Sequence, residues 1–157
     1  MARLFVSFLA VWLMWGKAVL ACETPKDLQR LKIGLVAEIN SIRAQNGLSP
    51  VVAALSLHEA AQGHACDMQA KRYFDHQAPE GPGLGDRVKK TGYRFGLVVE
   101  NIALTPRSQV GAATEIWMSS PPHRKNILNP QITEIGFGIA TRGNRTLWVM
   151  DAADPQN

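Results

Sequence analysis

The order in which hydrophobic periods succeed one another most constrains what this chain can fold into. Leu28, Leu31, Leu35, Ile39 and Ile42 recur every three or four residues with polar residues between them, the spacing of one helix face. Gly47 ends that helix, and Ser49-Pro50 opens a short extended piece at 51–52. A second helical pattern covers 55–74, with Leu57, Ala61, Ala65, Met68 and Tyr73 on its buried side. The breaker-rich run 79–83 (PEGPG) is a loop, and 84–91 forms a short helix closed by Gly92. Residues 97–104 are extended and apolar except for Glu100 and Asn101, and 107–119 reads as a third long helix halted by Pro121 and Pro122. Only then does the period change. Residues 134–140 (EIGFGIA) and 146–152 (TLWVMDA) read as strands joined by a hairpin turn at 142–145. Helices first and an antiparallel pair last predict an α+β domain, with helices packed on an antiparallel sheet.

The N-terminus follows different rules. Arg3 precedes an almost wholly apolar run, 4–15 (LFVSFLAVWLMW), and Ala18-Val19-Leu20-Ala21 then supplies small residues ahead of Cys22. A charge, a short apolar stretch and a Val-x-Ala site are the parts of a secretory leader. Twelve residues rise only about 18 Å as helix, short for a bilayer. The expected division is a leader at 1–21 and one domain at 22–157, with an uncut signal anchor as the alternative. Losing Arg3 and Lys17 lowers the net charge from +4 to +2, with the remaining basic residues scattered. A nucleic-acid partner is therefore not expected.

Two cysteines remain, Cys22 and Cys66. In an exported chain an even count suggests one disulfide, closing a loop of about 45 residues and contributing about 2–4 kcal/mol. The rival reading takes 19–22 (VLAC) as a lipidation box that would anchor Cys22 to a membrane. Leu20 is an unusual occupant of such a box and Lys17 lies close, which favours the disulfide.

Of the four histidines, His58 begins an apparent HExxH zinc-protease motif, but the second ligand position holds Gln62. His64 lies about 120° around the helix from His58, so the two share no face. His58 is expected to be exposed and His64 to be structural. His76 follows the second helix, and by itself reads as a surface loop residue. Two prolines restrain the backbone just before His123. Glu100 interrupts an apolar strand, so it either faces water at an edge or is buried with a partner. Glu115 points away from the stripe of Val110, Ala113, Thr114 and Trp117. Periodicity alone cannot bring these residues together.

Four segments nevertheless resemble one family. WMSSPPHRKNIL at 117–128 is similar to the W-x-x-S-x-x-H-x-x-N-[IL]-[LM] signature of the CAP superfamily of cysteine-rich secretory, antigen 5 and pathogenesis-related proteins. VENIA at 99–103 resembles its G-E-N-I-A motif, YFDH at 73–76 its [YF]-F-x-H, and INSIR at 39–43 its [LI]-N-x-x-R opening. The resemblance spans nearly the whole 22–157 domain. It implies an α-β-α sandwich with a central antiparallel sheet, and a large groove gathering His76, Glu100, Glu115 and His123. It also implies that His76 and His123 can hold a divalent ion such as zinc, with the glutamates nearby. The sequence departs from the family at Val99, where glycine is usual, and at 151–154 (DAAD). Neither departure is expected to touch the tetrad.

Three functions follow as expectations. In a metal-assisted hydrolase, Glu100 or Glu115 would serve as base, although two histidines are one ligand short of a usual catalytic zinc and would hold Zn2+ weakly. In an extracellular binding protein, the preferred reading, the groove would receive a small molecule, lipid, glycan or peptide over a metal-responsive floor. In the third, the tetrad is structural. A monomer is expected, touching membrane only through a lipidated Cys22 or an uncut leader.

Overall fold

The computed structural model describes residues 21–106 and 108–156. The expected leader therefore lies, but for Ala21, outside the described residues. The elements are α1 (Leu28–Gln45), β1 (Val52–Ala53), α2 (Leu55–Lys71), α3 (Leu84–Lys90), β2 (Phe95–Thr105), α4 (Val110–Ser119), α5 (Pro121–Ile127), β3 (Glu134–Arg142) and β4 (Arg145–Pro155).

The four strands form one sheet in the order β1-β3-β4-β2. β2, β4 and β3 are antiparallel neighbours, whereas the two-residue β1 joins β3 in parallel, so the sheet is mixed rather than purely antiparallel. Strand alternation sends opposite residues to opposite layers. Ile135, Phe137 and Ile139 face a core shared with Leu35 and Ile39 of α1 and with Trp117 of α4, whose indole stacks on Phe137 at 6.5 Å. Ala140, Leu147, Val149 and Ile102 face Ala61, Ala65 and Met68 of α2. The result is helices on both faces of a sheet.

α2 lies unusually close to β3. A Cβ on Gly136 would run into the backbone of Leu57 and His58, and one on Gly138 into that of Ala61 and Gln62. At this distance α2 side chains also close the edge that β1 is too short to cover. The Phe137 amide donates to His58 Nδ1 at 2.8 Å. Gln62 accepts from the Ile139 amide at 3.1 Å and donates to its carbonyl at 2.9 Å. Gln69 donates to the Thr141 carbonyl at 2.7 Å. An open row of strand amides is thereby satisfied. His58 is accordingly half-buried and bonded, not exposed as the sequence suggested, because the strand edge needed an acceptor there.

Three boundaries differ from expectation. α2 stops at Lys71, with Arg72 in the left-handed region (φ 59°), so Tyr73 and Phe74 belong to the following loop. The third long helix begins at Val110, and Arg107 lies outside the described residues. Pro121 and Pro122 do not merely halt it: they occupy the first turn of α5, where a missing amide costs nothing, and so place His123 on a helix.

Cys22 and Cys66 form a disulfide, with Cα atoms 5.3 Å apart. Cys22 sulfur is thus committed to Cys66, and the lipidation reading has no support. Arg43, 1% exposed, donates from one guanidinium to the carbonyls of Ser49, Ile127, Asn129 and Ile132. Asn40 exchanges two hydrogen bonds with the Val51 backbone. The INSIR segment thus ties α1 to the loops that carry α5 and β3. No helix among the described residues is long and apolar enough to cross a membrane.

Candidate functional site

Because β2 is a sheet edge, side chains from both helical layers can meet there. Glu100 points to the α2 face and is 6% exposed. Its Oε1 accepts from His76 Nδ1 at 2.9 Å, and its Oε2 from Arg87 Nη2 at 2.5 Å. Arg87, on α3, also donates through Nη1 to the carbonyls of His76 and Pro82, at 3.1 and 3.2 Å. One guanidinium therefore fixes both the carboxylate and the loop bearing His76. His64 lies beneath, with Nε2 donating to the Asp75 carbonyl at 2.9 Å and standing 3.9 Å from Glu100 Oε1.

The other layer delivers His123. Asn101 donates to the His123 carbonyl at 3.0 Å, while Asn126 donates to Asn101 Oδ1 at 2.8 Å and to the Glu100 carbonyl at 3.2 Å. The Glu-Asn pair of β2 and the His-x-x-Asn spacing of α5 thus lock one helix turn against the strand. The His76 and His123 ring centres are 6.3 Å apart.

Charge follows this geometry. Burial alone would raise Glu100, but the His76 hydrogen bond and the Arg87 charge, with His64 behind them, hold it below the usual carboxylate range. The same hydrogen bond to Glu100 raises His76 against partial burial. Burial, then the charge of His76, lowers His123. Burial lowers His64 as well, outweighing the attraction of Glu100.

The structure therefore brings together His76, Glu100 and His123, while Glu115 makes no direct bond to any of them among the described residues. That residue sits on the exposed face of α4 with no hydrogen bond or ion pair to its carboxylate among the described residues. A sizeable cleft nearby, about 400 Å³ between α2 and α3, shares His64 and Arg87 with the site but is not lined by His76, Glu100 or His123.

Sequence reasoning missed Arg87, which no local pattern distinguishes from an ordinary surface cation. It also missed Asp151, which is fully buried and stands directly opposite Glu100 in the β2–β4 register. The expectation that 151–154 stays clear of the tetrad is corrected: a central-strand residue paired with Glu100 faces the same side. A charge inside TLWVMDA was the available signal, the same one that exposed Glu100. Val99 leaves the pairing undisturbed, opposite Ala152; the register shift in β2 lies between Phe95 and Leu97.

The donor set can be tested against a metal ion. Two imidazoles on one tetrahedral ion have centres about 5 Å apart, given metal–nitrogen distances of about 2.0–2.1 Å, so the observed pair would close by about 1 Å. His76 Nδ1 is held by Glu100, which leaves Nε2 as its free lone pair, and the buried His123 Nδ1 has no partner among the described residues. No third donor joins them: among the described residues no group of three His, Cys, Asp or Glu side chains could hold an ion. The residues fit an ion held at two points and completed from outside, not a catalytic zinc with three protein ligands.

The sequence and the fold have known relatives. The family model of the cysteine-rich secretory protein family, CAP, matches residues 36–152. The uncharacterized protein YkwD of Bacillus subtilis (strain 168) is 37% identical over 125 residues, 78% of this chain and 47% of that protein. An extracellular protein containing an SCP domain from Bacillus anthracis str. Ames superposes with a TM-score of 0.68 at 31% identity, covering 83% of this chain and 43% of that one. An outer surface protein from Borrelia burgdorferi shares the fold, with a TM-score of 0.76 at 20% identity over 86% of this chain and 99% of that one. The chain spans less than half the length of the curated relatives it matches. With the family match running from within α1 into β4, this α+β chain belongs to the cysteine-rich secretory protein (CAP) family.

Proposed function

We propose that the domain is an extracellular binding module whose sheet-edge site, His76, Glu100, Arg87 and His123, receives a ligand over a weakly held divalent ion. His76 and His123 would hold the ion, while Glu100 and Arg87 keep the His76 ring in place. Once bound, the ion supplies a Lewis-acidic point for oxygen donors of a lipid, glycan or peptide. The observation that carries this reading is the Arg87–Glu100–His76 chain, which fixes one ring nitrogen and leaves the other free. Support for an extracellular setting comes from the leader-like N-terminus, the disulfide and the Bacillus anthracis neighbour.

A hydrolase reading is less well supported. Both oxygens of Glu100 are engaged and its carboxyl is held low, whereas a general base is best poised near the working pH. Glu115 has no partner among the described residues to orient its carboxylate.

Calorimetric zinc titration of the oxidised domain tests the proposal. Binding should be weak and should fall at least tenfold in both His76→Ala and His123→Ala. Affinity that survives both substitutions would overturn the metal site.

A further inference from the structure

The most unusual buried group outside the proposed binding contacts is Asp151. It lies on the central strand β4 with Gly136 of β3 on one side and Glu100 of β2 on the other, all three in register and on the α2 face. Its side chain is fully buried, and neither carboxyl oxygen meets an N–H or O–H donor among the described residues. A bare carboxylate there would be a buried charge with no hydrogen bond, facing a second carboxylate that Arg87 already neutralises. The charged groups that act on it are Glu100 from β2 and Arg87 from α3, and behind Glu100 stand His64 from α2 and His76 from the loop after α2. β3 offers only a glycine.

We propose that Asp151 is protonated in the native protein and donates its proton to Glu100, acting as a positioning residue for the carboxylate that orients His76. Each Glu100 oxygen keeps a lone pair beyond those engaged by His76 and Arg87, so the third hydrogen bond displaces neither. A carboxyl–carboxylate pair sharing one proton satisfies both members, which no arrangement of two ionised carboxylates can do. The direction of titration agrees: burial first, and then the charge of Glu100, raise Asp151 well above its ordinary range. The proposal bears on the Proposed function through Glu100, but the test below needs no metal.

The metal-free oxidised domain is labelled with 13C at aspartate side-chain carboxyls and 15N at histidine. The Asp151 carboxyl carbon should keep a protonated shift at neutral pH. Unfolding releases that proton, so raising the pH favours unfolding of wild type over Asp151→Asn. The ratio of their unfolding constants should grow by up to tenfold per pH unit above the ordinary aspartate range. Asp151→Asn, which retains a donor, should preserve the Nδ1-protonated tautomer of His76, whereas Asp151→Val should lose it. A carboxyl shift that titrates near pH 4, or an unfolding ratio that stays constant above pH 5, would overturn the proposal, even if Asp151→Val fails to fold. Zinc binding can fail while these results hold, and the reverse, so the two readings fall separately.

Discussion

At the scale of single residues, the site depends on one buried charge being answered. Glu100 is almost wholly enclosed, and among the described residues Arg87 is its one permanently charged partner at hydrogen-bonding distance. Removing one partner of such a pair leaves the other desolvated and unmatched, which typically costs about 3–5 kcal/mol. Arg87→Met should therefore lower stability by about 3 kcal/mol in urea unfolding, whereas Glu115→Gln, on an exposed side chain, should change it by less than about 0.5 kcal/mol. Equal effects would mean that the pair contributes little. Legibility in the sequence divides along the same line. Glu100 declared itself as a charge within an apolar strand, and Asp151 carried that signal too. Arg87 carried none, because its partner lies 13 residues away and only the α3–β2 packing joins them.

At the scale of elements, the docking of α2 on β3 decides where the site can form. Gly136 and Gly138 let the helix backbone approach the sheet, and His58 and Gln62 then satisfy the strand edge. Alternation in EIGFGIA revealed a strand but not that its glycines were contact points, since a glycine in a strand also reads as a bulge. Gly138→Ala would drive a methyl group into the Ala61 backbone, a clash no rotamer relieves. It should destabilise the domain by about 3 kcal/mol or more and lower its Tm, whereas Gly63→Ala, with open space around it, should not. A tolerated Gly138→Ala would contradict the close approach. The prolines before His123 show the other limit of local reading. Pro is as suited to opening a helix as to ending one, and only the continuation into HRKNI decides between them.

At the scale of the whole molecule, titration couples the site to the fold. His58, His64 and His123 are all lowered, burial being the largest cause in each. A lowered group stabilises the native state above its unfolded value and loses that contribution as the pH falls. In Asp151→Asn, where the raised Asp151 no longer adds stability as the pH falls, stability should thus begin to decline below about pH 6.5, the ordinary histidine value. It should decline more steeply below 4.5 as Glu100, also lowered, gains its proton. His76 is raised and acts in the opposite sense, contributing below 6.5, so His76→Ala should deepen the acid loss. Chemical denaturation of Asp151→Asn from pH 7 to pH 3, with and without His76→Ala, checks both, and a profile flat to pH 4 would refute them. The α+β class and the helix order were legible because period and breakers are local. The β1–β3 parallel pairing was not, because two residues carry no pattern.

The proposed metal site requires two rings, delivered from opposite faces of one sheet, to reach a common point. A crystal of the oxidised domain soaked in zinc and measured at the zinc absorption edge tests this directly. An anomalous peak should appear within bonding distance of both His76 and His123, with solvent or ligand completing the coordination. A peak elsewhere, or one bound to a single histidine, would contradict it.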